Sequence, residues 1–279
     1  MSGKLYIVAT PIGNLEDITL RAIRVLGETD VIACEDTRTT RKLLSRYAIN
    51  KPLVSYHEHN EIEKAKELIS LLEEGKSVAL VSDAGTPCIS DPGFRLVKLA
   101  SELDIQVLPV PGPSAVVSAL SVSGLSTSSF AFFGFPPRTK KRLADYLGNI
   151  KSYPETLVFY ESPYRVTKTL RTMLEVFGDR RISLNREITK LYEETLRGRI
   201  SEVLEALGKR SGIKGEVTLV VEGDSAESGE VDTEGIDAMF DSYKKSGLSL
   251  KDAVKKVSEE SGSSKSKTYK RALAIWGRQ

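Results

Sequence analysis

Residues 78 to 93 read VALVSDAGTPCISDPG, four apolar residues followed by a stretch with two glycines and two prolines. The apolar run suits a strand buried on both faces. The segment after it, 82 to 93, has a backbone path set by the fixed φ of proline and the freedom of glycine, which leaves amides turned toward a ligand. Outward from this unit the same grammar recurs: LYIVAT at 5 to 10, VIAC at 31 to 34 and IQVLPVP at 105 to 111 are further strand candidates. Between them lie stretches of helical period, such as Ile62, Ala65, Leu68, Ile69 and Leu72, which Gly75 stops. Such alternation predicts an α/β fold with a mostly parallel sheet covered by helices.

A second set of strand candidates follows the bend PGPSA at 111 to 115: FAFFGF at 130 to 135, TLVFYES at 156 to 162, RISLNRE at 181 to 187 and VTLVVEG at 217 to 223. The expected organisation is therefore an N-terminal α/β domain over 1–112, a second α/β domain over 113–224 and a small helical C-terminal unit over 225–279. Near residue 224 the composition turns acidic and small, GDSAESGEVDTEG, which reads as a linker. Beyond it, Ser249 can cap a helix through Leu250, Ala253, Val254 and Val257 that Gly262 ends. A second helix would carry Tyr269, Ala272, Leu273 and Trp276, giving a unit like a helix-turn-helix. From Lys244 to Gln279 ten Lys or Arg face three acids, so this tail is basic and suited to nucleic acid.

Composition bounds the rest. A chain of 279 residues with 40% hydrophobic content can build two cores without a staple. Cys34 and Cys88 stand apart, without C-x-x-C spacing, and suggest neither a disulfide framework nor a zinc site. Leu5 to Ala9 is too short for a signal-peptide core, so a cytoplasmic location without membrane attachment is expected. The formal charge of +2 favours no partner by itself.

Several chemistries fail on spacing. Gly75-Lys76-Ser77 has no upstream glycine and precedes a strand, so it is a helix end and not a phosphate loop. Ser114 lacks the second glycine of a nucleophile elbow, and no histidine follows residue 59. The first β-to-α turn, ATPIGNLED, is not G-x-G-x-x-G. His57 and His59 lie in a polar loop without further ligands, so no metal site is expected. What survives is a set of four loops at the C-terminal ends of strands: TPIGNLED at 10 to 17, CEDTRTTRKLL at 34 to 44, SDAGTPCISDPG at 82 to 93 and PGPSA at 111 to 115. Any one of them could be mere turn-building. Four at one sheet edge predict a pocket.

These loops, with SYHEHNE, GFPPR, FYESPYR, REITKLYEE and KGEVTLVVEG in order behind them, resemble the tetrapyrrole-methylase family over about the first 223 residues. The resemblance implies two α/β domains with S-adenosylmethionine in the cleft between them, and a homodimer. Several motifs differ from those of porphyrin-methylating relatives. They imply instead methyl transfer to the ribose 2′-oxygen of a cytidine in the decoding region of 16S ribosomal RNA, on the RNA or on the 30S subunit. Carried over residue by residue, the cofactor pocket falls on Pro11, Gly13, Asp83, Gly85, Thr86, Ser114, Ala115, Tyr160, Glu187 and Glu216. Asp83 could equally cap a turn, and Ser114 could be a plain helix cap.

Transfer from a sulfonium rests mainly on positioning and a dry cleft, while the ribose hydroxyl still loses a proton. Glu35, Asp36 and Glu161 are the favoured acceptors among Glu35, Asp36, His57, Glu58, Glu161 and Glu187. Each acid could instead pair with Arg38, Arg165 or Arg186. For RNA, the loop PPRTKKR supplies Arg138, Lys140, Lys141 and Arg142 beside Phe133 and Phe135. Arg38, His57 and Arg165 complete the expected RNA-facing set. The competing readings are methylation of a small tetrapyrrole on the same fold and a non-catalytic RNA-binding protein with a vestigial pocket.

Overall fold

The first strand, β1 (Lys4–Val8), is followed by α1 (Leu20–Glu28), β2 (Val31–Cys34), α2 (Thr37–Arg46), β3 (Leu53–Ser55), α3 (Glu61–Glu73), β4 (Val78–Val81), α4 (Phe94–Glu102) and β5 (Gln106–Val110). These elements, like all that follow, come from a computed structural model that describes residues 3–224, 233–261 and 265–276. The strands pair in parallel in the order β3-β2-β4-β1-β5. All four residues of β4 are buried, as a central parallel strand requires. Helix starts are set locally: the Thr19 hydroxyl accepts from the Ala22 amide at 3.1 Å and Asp36 accepts from the Arg38 amide at 2.8 Å.

Helices α1 and α2 bury Val25, Leu26, Leu43 and Leu44 against Val8 and Ile32 on one face of this sheet. On the opposite face α3 and α4 bury Leu68, Leu72 and Leu96 against Leu5 and Leu80. The chain thus leaves β1 toward one face and β4 toward the other, although the two strands are neighbours. That is a topological switch point, where the loops part and a crevice opens at the carboxyl ends of the strands.

The second unit runs α5 (Ala115–Ser123), β6 (Phe130–Phe132), α6 (Lys140–Ile150), β7 (Thr156–Glu161), α7 (Val166–Phe177), β8 (Arg181–Arg186), β9 (Glu194–Arg199), α8 (Ile200–Gly208) and β10 (Val217–Val221). Its sheet order is β6-β7-β10-β8-β9. Unlike the first sheet, which is parallel as its alternation predicts, this one is mixed: only β6 and β7 are parallel and the other pairs are antiparallel. The cause is connectivity: residues 187–193 join β8 to β9 without a crossover helix, so the chain can only turn back. Helices α6, α7 and α8 cover one face around Leu147, Phe159, Leu170 and Leu184. The other face receives α5 through Val116, Ala119 and Leu120.

The C-terminal unit has α9 (Thr233–Lys245), α10 (Leu250–Ser261) and α11 (Lys265–Trp276), wrapped around Phe240, Ala253, Val257 and Ala272. Ser249 caps α10, its hydroxyl accepting from the Asp252 amide at 3.2 Å. Three helices stand where two were expected, because Ile236 and Phe240, one turn apart, give α9 an apolar face. Of the stretch read as linker, 225–232 lies outside the described residues, as does Gly262. Among the described residues no helix is long and apolar enough to cross a membrane.

Candidate active site

At the switch point the loops after β1 and β4 are sewn together by backbone alone. The Thr10 amide donates to the Gly85 carbonyl at 2.9 Å and the Gly85 amide returns the bond at 3.0 Å. Gly85 has φ +83, a value that favours glycine. Above this floor lies a cavity of about 310 Å³, closed on its far side by loops of the second unit. From the first unit come Ile12, Ala84 to Thr86 and Ile89 to Asp91. Ser114 and Ala115 follow at the start of α5, and the second sheet adds Phe135, Tyr160 to Pro163, Ile188 and Gly215 to Thr218.

The closure depends on close approach. A β-carbon on Gly13 would lie 2.4 Å from Lys190 Cγ and 2.9 Å from Thr189 Oγ1, and the Asn14 amide donates to Thr189 Oγ1 at 3.1 Å. The docking loop is itself constrained: Glu187 and Thr189 hold positive φ, at 52 and 67. Glu187 accepts from the Glu216 amide at 3.0 Å and from Lys190 Nζ at 2.9 Å, and the bond from Lys190 is the main reason its carboxyl is lowered. Lys190 Nζ also reaches Glu216 at 3.1 Å.

Of the ten residues expected to hold the cofactor, Gly85, Thr86, Ser114, Ala115, Tyr160 and Glu216 line the cavity, whereas Pro11, Gly13, Asp83 and Glu187 do not. Thr86 Oγ1 donates to the Pro113 carbonyl at 3.4 Å, clasping the β4 and β5 loops. Ser114 occupies the N-cap of α5 but its side chain makes no capping bond. Tyr160 lies edge-on to Phe132 at 4.9 Å, and burial, helped by the Asp91 charge, pushes its phenol up to about 12. Asp83 accepts from the Asp36 amide at 3.1 Å, joining the β2 and β4 loops.

The three acids expected to take a proton divide sharply. Glu161 has a fully buried side chain that accepts from the Ser162 amide at 2.7 Å, from Arg165 Nε at 2.9 Å and from the Thr169 hydroxyl. Asp36 is held at about 2 by hydrogen bonds from Arg38. Glu35 is half-buried and its carboxyl is raised, first by burial and then by the Asp83 charge. One cavity-lining acid was not singled out by sequence, Asp91, which burial and the Glu35 charge push up to about 6 against a hydrogen bond from Ser82. Its local signature, Asp-Pro-Gly, is ordinary turn chemistry.

The expected RNA-facing residues are also separated. Arg138, Lys140, Lys141 and Arg142 are exposed, with Lys140 paired to Glu175 at 3.2 Å. Arg165 is instead committed to Glu161 and to the Pro136 carbonyl at 3.0 Å, so it anchors the basic loop. Arg38 lies over Asp36 at 2.7 Å, and His57 is half-buried with an unpartnered Nδ1. The two phenylalanines part company: Phe133 stacks on Phe159 at 5.3 Å in the core, while Phe135 is 62% exposed at the mouth.

The tetrapyrrole (corrin/porphyrin) methylase family matches residues 4–204. The chain belongs to this family. Among tetrapyrrole methylases it is similar to ribosomal RNA small subunit methyltransferase I of Halalkalibacterium halodurans, at 49% identity over 96% of this chain and 93% of that one. The protein of the same name from Thermotoga maritima is 51% identical, and 79% of this chain covers 99% of its length. Uroporphyrin-III C-methyltransferase of Thermus thermophilus, solved with S-adenosylhomocysteine, superposes with a TM-score of 0.56 at 21% identity, covering 81% of this chain and 99% of that one. This tetrapyrrole methylase shares the two-sheet fold.

The cavity fits the donor that the resemblance implies. Its volume is at the compact end of the roughly 300–1,000 Å³ usual for small-molecule sites. Apolar Ile12, Ile89, Ile188 and Val217 suit a purine face, and the unengaged Ser114 hydroxyl and the α5 amides suit a carboxylate.

Proposed function

We propose that the chain transfers a methyl group from S-adenosylmethionine to the ribose 2′-oxygen of a cytidine in the 16S ribosomal RNA of the small subunit, acting as a homodimer in the cytoplasm. The observation that carries this reading is the cavity at the β1–β4 switch point, roofed by the second unit, in a chain nearly half identical to proteins named as ribosomal RNA small subunit methyltransferases. S-adenosylmethionine supplies a methyl group made electrophilic by its sulfonium. Gly85, Thr86, Ser114, Ala115 and Tyr160 hold it, and Pro11, Gly13, Asp83 and Glu187 keep the surrounding loops in register. The apolar walls exclude water, so that alignment of the hydroxyl with the methyl carbon supplies most of the acceleration.

The exposed cations Arg138, Lys141 and Arg142, with Phe135 beside them at the mouth, receive single-stranded RNA. The basic three-helix unit adds a second contact. The test is incubation with methyl-labelled donor and small subunits from a strain lacking this modification, followed by mapping of the labelled sugar. Label confined to one cytidine 2′-oxygen is the expected result; absence of label in the RNA refutes the reading.

A further inference from the structure

Asp91 is the one described residue that lines both the cleft of about 310 Å³ and a second groove, of about 540 Å³, between α3 and α4. That outer groove carries Lys66, Arg95 and Lys98 beside the exposed ring of Phe94. The carboxylate therefore stands where the donor's chamber meets a groove open to solvent. Its loop is built to hold it there. Cys88 and Ser90 have φ 71 and 64, and a β-carbon on Gly93, at φ 144, would strike Cys88 Sγ at 2.5 Å and Leu80 Cδ2 at 2.8 Å.

Three described acids line the cleft: Asp91, Glu161 and Glu216. Glu161 is saturated by Arg165, Thr169 and the Ser162 amide, and Glu216 is paired with Lys190. Asp36 and Glu35 line neither cavity. Asp91 has no ion pair among the described residues, and the Ser82 hydroxyl, which lowers it, also donates to the Ala84 and Gly85 carbonyls. On the functional reading above, we propose that Asp91 is the proton acceptor for the hydroxyl that is methylated. A lone pair of the 2′-oxygen forms the new bond to the methyl carbon, and the carbon–sulfur pair departs onto sulfur to leave a neutral thioether. The hydroxyl proton passes to the Asp91 carboxylate and from there, through the groove, to solvent.

The surroundings tune this group. Burial first, then Glu35 at the end of β2 and Asp83 after β4, raise it, and Ser82 lowers it. Cys88 shares its loop, and Tyr160 faces it from β7. Across the groove Glu61 is paired with Arg95 at 2.6 Å, Lys98 with Glu102 at 3.7 Å, and Lys66 is the remaining cation. At about 6, the carboxyl is ionised at neutral pH yet still basic enough to take a proton.

The test is Asp91→Asn on the full chain, with small subunits as acceptor and saturating donor. The expected result is a kcat lowered roughly 10²- to 10⁴-fold, the usual worth of a general base, with donor affinity by calorimetry unchanged. Wild-type kcat should fall below a midpoint of about 6, and Asp91→Glu should recover part of it. Independently of turnover, carbon-13 NMR of the aspartate carboxyls should show one resonance titrating near 6 that Asp91→Asn removes. A kcat within about threefold of wild type overturns the proposal, as does a lost donor affinity, which would make Asp91 a donor-binding group. A wild-type protein that methylates no ribosomal RNA overturns the functional reading itself, whereas the variant results bear on Asp91 alone.

Discussion

Gly13 lies against Lys190 so closely that a single added methyl group would sit 2.4 Å from the lysine Cγ. The contact ties the β1 loop of the first sheet to the turn between β8 and β9 of the second, and with them the two walls of the cleft. Gly13→Ala should push the walls apart and weaken donor binding by about tenfold or more, as overpacking at a close contact does. Calorimetry on the folded variant measures it. Unchanged affinity would mean that the walls are held elsewhere.

Asp91→Asn should make the protein more stable at neutral pH. The unfolded carboxyl ionises near 3.8 and the folded one near 6, so between these values the folded state binds more protons than the unfolded. Stability then falls as pH rises through that window and stays lowered above it. A neutral amide avoids this, giving the variant an advantage that solvent screening of the part-exposed group holds to on the order of 1 kcal/mol near pH 7.5 and that vanishes below about pH 3.8. Urea unfolding at the two pH values decides the matter, and an advantage confined to acid would contradict the sign.

Arg165→Ala should cost about 3–5 kcal/mol, because it leaves the fully buried Glu161 without its cation. It should also release the Pro136 carbonyl and so the basic loop. Adding Glu161→Gln removes the stranded charge and should restore part of the lost stability. A double variant no better than the single one would show that the guanidinium acts by packing and not by compensating charge.

A chain ending at Asp224 should keep its donor affinity and bind RNA more weakly, with a shallower dependence on salt. Helices α9 to α11 have their own core, and the sheets bury nothing of it. Each lost phosphate contact should reduce the slope of log affinity against log salt by about 1. RNA affinity and slope equal to those of the full chain would remove the tail from the RNA-binding surface.

Where the sequence was legible, one short window carried the signal. VIAC at 31 to 34 is β2 residue for residue, and VTLVVEG encloses β10, because central strands are apolar on both faces. The edge strand β9, ETLRGR, went unseen since only alternate residues need burial, and β3 has three residues. Three of the four loops, 10 to 17, 82 to 93 and 111 to 115, line the cleft because turn chemistry is local, whereas 34 to 44, without Gly or Pro, supplies no lining residue. Asp91 escaped because its environment is made by Glu35 and by Tyr160 from the other sheet, far away in the chain. The partners of Glu161 were hidden for a like reason: nothing in FYESPYR announces that Thr169, in the first turn of α7, will help consume its lone pairs. Phe133 and Phe135 look alike in sequence, yet the alternation of a strand sends one inward and the other to the mouth.

The floor of the cleft is the reciprocal pair of amides between Thr10 and Gly85. Main-chain atoms are the same whatever side chains hang from them, so the rim can be rewritten, residue by residue, while its foundation holds. A scaffold of that sort invites new acceptors to be tried against an unchanged donor, which is how one architecture can serve substrates as unlike as a macrocycle and a ribosome.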